Sequence, residues 1–140
     1  MRNEWIFEVE GTPQPKERAR QGQTGRGGKA KGKAHFFPAT ATVDYESKIA
    51  GAAMEAGLRW AGLPFRVEVS VYVPDRIARD GDNILKSVLD GLQKAGPGAL
   101  PGDDLFRVPE KEIRLGGIDR ARPRIVVRIR ELEAFEEETR

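Results

Sequence analysis

Hydrophobic and polar positions alternate from Glu4 to Glu10, with Trp5, Phe7 and Val9 on one side and glutamates on the other. That period predicts a half-buried strand. No periodic apolar pattern follows from Gly11 to about Ala34, a stretch rich in Gly, Lys, Arg and Gln. It predicts a flexible loop of the length that is usually functional or disordered in a compact domain. From about Val43 to Leu58 the period becomes helical, through Tyr45, Ile49, Ala52, Ala53 and Ala56, with Thr42 as N-cap and Gly57 near the end. Phe65 to Val73 alternates strictly and predicts a strand that Pro74-Asp75 ends. A second helix is expected from about Asn83 to Ala95, closed by Gly96-Pro97-Gly98. Two strands follow, a shorter one around Lys111–Leu115 and a stronger one over Arg124–Arg130. The order β-α-β-α-β-β predicts an α+β fold, a mixed sheet with helices packed on one face. One small domain spanning residues 1–140 is expected, with an acidic end from Glu131 to Arg140 forming a short helix or a frayed tail.

Composition narrows the chemistry. Hydrophobic residues are 39% and charged residues 33%, as in a soluble globular protein. No apolar run approaches the ~20 residues that cross a bilayer, and the N-terminus lacks a secretory h-region. The chain has no cysteine, which excludes disulfides, thiolate zinc sites and a cysteine nucleophile, and suits a cytoplasmic setting. With His35 as its single histidine, a Ser-His-Asp triad is nearly excluded as well. Catalysis would fall to carboxylates, lysines and a metal.

Charge is unevenly spread. The net charge is +2, but Lys16, Arg18, Arg20, Arg26, Lys29, Lys31 and Lys33 face only Glu17, a local +6. The last ten residues carry −4. A dense basic segment fits a polyanion partner such as nucleic acid, or a solvated loop.

Candidate chemistry lies between Asp75 and Asp104. Asp80 and Asp82 flank Gly81 just before a helix, and Gly81 permits a turn that brings both carboxylates onto one cation. Mg²⁺ commonly uses one or two carboxylates plus phosphate and water. At 100° per residue, Lys86 projects from the polar side one turn above Asp82, with Asp90 nearby; Ile84, Leu85, Val88, Leu89 and Leu92 form the stripe to be buried. Asp103-Asp104, in a loop before a strand, completes the acidic set. Metal ions held by aspartates supply what phosphodiester hydrolysis needs, and a lysine there can hold the phosphate. Each feature also has an ordinary reading: Asp82 as an N-cap, Asp80-Gly-Asp82 as a turn, Lys86 and Asp90 as a surface pair. An EF-hand does not fit, because Ile84 and Gly91 occupy its fifth and twelfth positions.

The residues Pro74-Asp75-Arg76, Arg79-Asp80-Gly81-Asp82-Asn83-Ile84-Leu85-Lys86, Leu89-Asp90-Gly91-Leu92-Gln93-Lys94-Ala95-Gly96 and Asp103-Asp104 resemble the RusA family of Holliday junction resolvases. That family's pattern reads approximately P-D-x-x-x-R-D-x-D-N-x-x-K, then K-A-G, then an aspartate pair. The resemblance implies a homodimeric, Mg²⁺-dependent endodeoxyribonuclease, with Mn²⁺ as substitute, that makes paired nicks in branched DNA during recombination and repair. It implies Asp80, Asp82 and Asp104 as catalytic, metal-binding carboxylates and Lys86 as the essential lysine, with Asn83 and Asp90 in support. The segment Pro97–Gly102 is longer than the family pattern, so Asp103 and Asp104 can exchange roles. The basic loop, also long for the family, would grip the DNA backbone with Arg76 and Arg79. Phe36 and Phe37 beyond it either stack on bases or anchor the first helix. The rival readings are a non-catalytic nucleic-acid-binding protein and a nuclease of the same fold acting on flaps, forks or RNA.

Overall fold

The computed structural model describes residues 2–16, 40–96 and 98–137, and the backbone of 20–21 and 36–37. In chain order the elements are β1 (Glu4–Glu10), β2 (Arg20–Gln21), β3 (Phe36–Phe37), α1 (Thr40–Glu55), β4 (Phe65–Val73), α2 (Gly81–Gln93), β5 (Glu110–Ile118) and β6 (Arg124–Glu131). The four long strands make one sheet in the order β1-β6-β4-β5. Its β4–β5 pairing is parallel, while β1–β6 and β4–β6 are antiparallel. The fold is therefore α+β with a mixed sheet, in the order the hydrophobic pattern implies. Among the described residues the short β2 and β3 pair with each other and not with the main sheet.

Alternation decides which face is buried. Phe7 and Val9 of β1, Phe65 to Val73 on β4, and Ile125, Val127 and Ile129 on β6 point into one core with α1 and α2. Trp5 and Trp60 meet the Phe65 ring edge-on at 5.6 and 5.0 Å. The opposite face carries charge. Arg66 pairs with Glu68, Glu110 and Glu112; Arg130 pairs with Glu68, Arg128 with Glu4, and Arg124 with Glu8. Those pairs keep the sheet wetted on that side. Parallel pairing of β4 with β5 requires a crossover, and α2 provides it. The unit β4–α2–β5 thus carries the acidic block.

Boundaries differ from the sequence expectation in ways that have local causes. α1 begins at Thr40, so Thr42 is a buried helical residue and not the N-cap. It ends at Glu55 because Gly57, at φ 80°, closes a Schellman turn: its N–H donates to Met54 O and that of Leu58 to Ala53 O, both at 3.0 Å. α2 begins at Gly81, and its N-cap is Asp80 in place of Asp82. β5 runs one residue before and three beyond the short strand expected, because partners on β4 extend it from Glu110 to Ile118 across a bulge at Gly116. The acidic end forms no helix over Leu132–Glu137: Leu132 N–H donates to Pro64 O at 2.8 Å, and the Phe135 ring packs on Phe106. No helix among the described residues is long and apolar enough to cross a membrane.

Candidate functional site

Asp80 sits in extended backbone at φ −82° and ψ 110°. Its Oδ1 accepts from the N–H of Asp82 at 2.9 Å and of Asn83 at 3.3 Å, satisfying two of the donors a helix start leaves unpaired. Asn83 Nδ2 stands 3.4 Å from Asp80 Oδ2. Asp80-Gly-Asp82 is thus the first turn of α2, with both carboxylates exposed. Asp82 makes no ion pair or side-chain hydrogen bond among the described residues, and the positive end of the helix dipole favours its charge.

Amphipathicity sets the rest of the helix. Ile84, Val88, Leu89 and Leu92 are buried and Leu85 is partly so. Lys86 is therefore turned outward. Its Nζ lies 3.6 Å from Asp90 Oδ1, one turn on, and 3.7 Å from Asp103 Oδ2. The loop after α2 thereby returns an acid to the helix's polar face. Asp104 is engaged otherwise. Its Oδ1 accepts from the N–H of Phe106 at 2.9 Å and of Arg107 at 3.0 Å, and its Oδ2 pairs with the Arg107 guanidinium. The Arg107 N–H, against an opposing cost of desolvation, holds the Asp104 carboxyl below the usual carboxylate range, and the Arg107 guanidinium and the Phe106 N–H add to that shift.

Cations expected at a DNA backbone divide into three groups. Lys16 is folded in: its Nζ is 2.9 Å from Glu46 Oε2 and 2.7 Å from Asp90 Oδ2. Arg79 bonds Asp75 at 2.9 Å and the Ile77 carbonyl at 3.0 Å, and that pairing lowers the Asp75 pKa; Arg76 is exposed. Arg18, Arg26, Lys29, Lys31, Lys33 and His35 lie outside the described residues, as do the side chains of Arg20, Phe36 and Phe37. Sequence reasoning missed Glu46, which is 1% exposed on α1 and pairs with Lys94 as well as Lys16. Its only sequence signal was an acid on the apolar side of a helix, beside Ile49 and Tyr45.

The donor set Asp80, Asp82, Asp103 and Asp104 is all oxygen and largely exposed, which suits a hard cation. It is not gathered into a cage: among the described residues no three His, Cys, Asp or Glu side chains are grouped to hold a metal ion. A cation here would be held by one or two carboxylates and completed by substrate phosphate and water, the usual manner of Mg²⁺.

No curated protein matches the sequence. The family model of Endodeoxyribonuclease RusA matches residues 10–130, which include every strand of the main sheet in whole or part, both helices and the whole acidic block. By that match over most of its length, the chain belongs to the RusA endodeoxyribonuclease family.

Proposed function

We propose that this nuclease is a Mg²⁺-dependent resolvase of four-way DNA junctions, working as a homodimer. The observation that carries the site assignment is Lys86, whose ammonium stands between acids from two separate chain segments, Asp90 and Asp103. A cation flanked by acids on an exposed helix face is placed to receive a phosphate oxygen and to stabilise the charge that develops there. Asp80, Asp82 and Asp104 are the ligands in this reading, with Asp103 as the alternative to Asp104. When bound, Mg²⁺ would lower the pKa of a water and shield the phosphate. Asn83 supports Asp80 from the next turn position. The basic stretch through Arg18, Arg20, Arg26, Lys29, Lys31 and Lys33 supplies backbone contacts.

The second copy would pair along the edge of β5 that no described strand covers. A groove there is lined by apolar residues of β4, α2 and β5, among them Val71, Ile84, Ile113 and Leu115, together with the charged Asp75, Arg76, Arg79 and Arg114, and it reaches Gly81 at the start of α2. Antiparallel pairing of two β5 edges about Ile113 would set Glu112 of each copy opposite Arg114 of the other. That charge match and the groove favour self-association over a foreign partner.

The test is cleavage of a synthetic four-way junction in Mg²⁺, beside duplex, fork, flap and RNA controls. Asp82→Asn should abolish paired incision while junction binding in Ca²⁺ stays within about two-fold of wild type. Undiminished turnover by Asp82→Asn removes the metal-site assignment, and preferred cutting of a fork, flap or RNA reassigns the substrate.

A further inference from the structure

Lys16 opens the basic stretch in the sequence, and the structure ties it to α1 and α2. Residues 14–16 are stitched along α2: Ser87 Oγ donates to Gln14 O at 3.1 Å, and Lys16 N–H donates to Asn83 O at 2.8 Å. The Lys16 ammonium then enters a line of alternating charges, Glu46–Lys16–Asp90–Lys86–Asp103. Spacing along that line is uneven. At the buried end the contacts are 2.9 and 2.7 Å; at the exposed end they are 3.6 and 3.7 Å, beyond hydrogen-bonding range. Burial is unequal as well: the Glu46 side chain is 2% exposed and the Lys86 side chain 52%. Attraction between charges is stronger where water is excluded. Lys16 therefore takes Asp90 Oδ2 firmly, and Asp90 Oδ1 retains only a weak hold on Lys86.

We infer that Lys16, clamped by Glu46, is a positioning residue that neutralises Asp90 and so leaves Lys86 beside Asp103 but free to move onto a phosphate oxygen. Without the Lys16 charge, Asp90 is an ordinary i,i+4 partner and draws Lys86 down onto the helix. The role is distinct from gripping DNA, because Lys16 has both its neighbouring carboxylates in contact already. The inference rests on Lys86 acting as proposed above.

Single-turnover cleavage of the four-way junction at saturating protein, with Kd measured separately in Ca²⁺, tests it. Lys16→Met should slow cleavage about ten-fold, the size of one charge-assisted contact, and leave Kd within about two-fold. Lys16→Arg should restore the rate. In an Asp90→Asn background, Lys16→Met should have no further effect. A loss of the same size in both backgrounds, or one seen only in Kd and its salt dependence, overturns the inference in favour of a structural or DNA-gripping lysine. Should Lys16→Met fail to fold, Lys16→Gln, which can still donate to Glu46 and Asp90, takes its place in both backgrounds: a slowing that Asp90→Asn abolishes supports the line of charges, and an equal slowing in both refutes it. Lys86→Ala separates the two levels. Wild-type cleavage by Lys86→Ala defeats the site reading, whereas an inactive Lys86→Ala beside a fully active Lys16→Met defeats only the inference.

Discussion

Asp80 commits one carboxylate oxygen to the start of α2 and leaves the other facing Asn83 and solvent. Its two uses are separable. Asp80→Asn keeps an N-cap and should melt within a few tenths of a kcal/mol of wild type, yet should lose junction cleavage; Asp80→Ala should lose about 1 kcal/mol besides, read from urea unfolding. At Asp104 the competitor for a cation is Arg107, which holds Oδ2. Arg107→Gln should lower the Mg²⁺ concentration for half-maximal cleavage, and Asp104→Asn should abolish cleavage. Full activity in Asp104→Asn with none in Asp103→Asn would move the ligand to the residue beside Lys86. Asp80, Asp82, Lys86 and Asp90 were legible in the sequence because they share one helix, where spacing alone gives direction. The pairing of Lys16 with Glu46 was not. Glu46 lies thirty positions away in the chain, and only the packing of α1 on α2 brings it there.

That packing depends on a close approach between the two helices. A Cβ on Gly91 would stand 2.8 Å from Ile49 Cβ and 3.0 Å from the Glu46 carbonyl. Gly91 thus sits at the crossing where Glu46 leaves α1 toward Lys16 and Lys94. Gly91→Ala should destabilise the protein by about 1–3 kcal/mol, since neither neighbour is a flexible chain end, and thermal unfolding measures it. Helix and strand periods were readable from the chain, including β1 with its observed limits. The ends of α1, α2 and β5 were less so. A cap is chosen by backbone conformation at Asp80 and Gly57, and the length of β5 by its neighbour, neither of which a hydrophobic period encodes.

Across the whole molecule, β5 is the sheet edge nearest the acidic block, and Leu115 there is 67% exposed. Leu115→Glu should leave unfolding unchanged within about 0.5 kcal/mol, as for exposed positions, while shifting sedimentation from dimer toward monomer. Unaltered sedimentation would place the second copy elsewhere. The other side of the sheet raises a different matter. β6 follows β1, β4 and β5 in sequence, yet it lies between β1 and β4 and supplies Ile125, Val127 and Ile129 to the core. Until Arg124–Glu131 emerges from the ribosome, β1 and β4 each have an unpaired rim and no shared neighbour. Shortened products ending before that strand should accumulate as aggregates, so emergence of Arg124–Glu131 is itself the switch between an inert polypeptide and a folded nuclease.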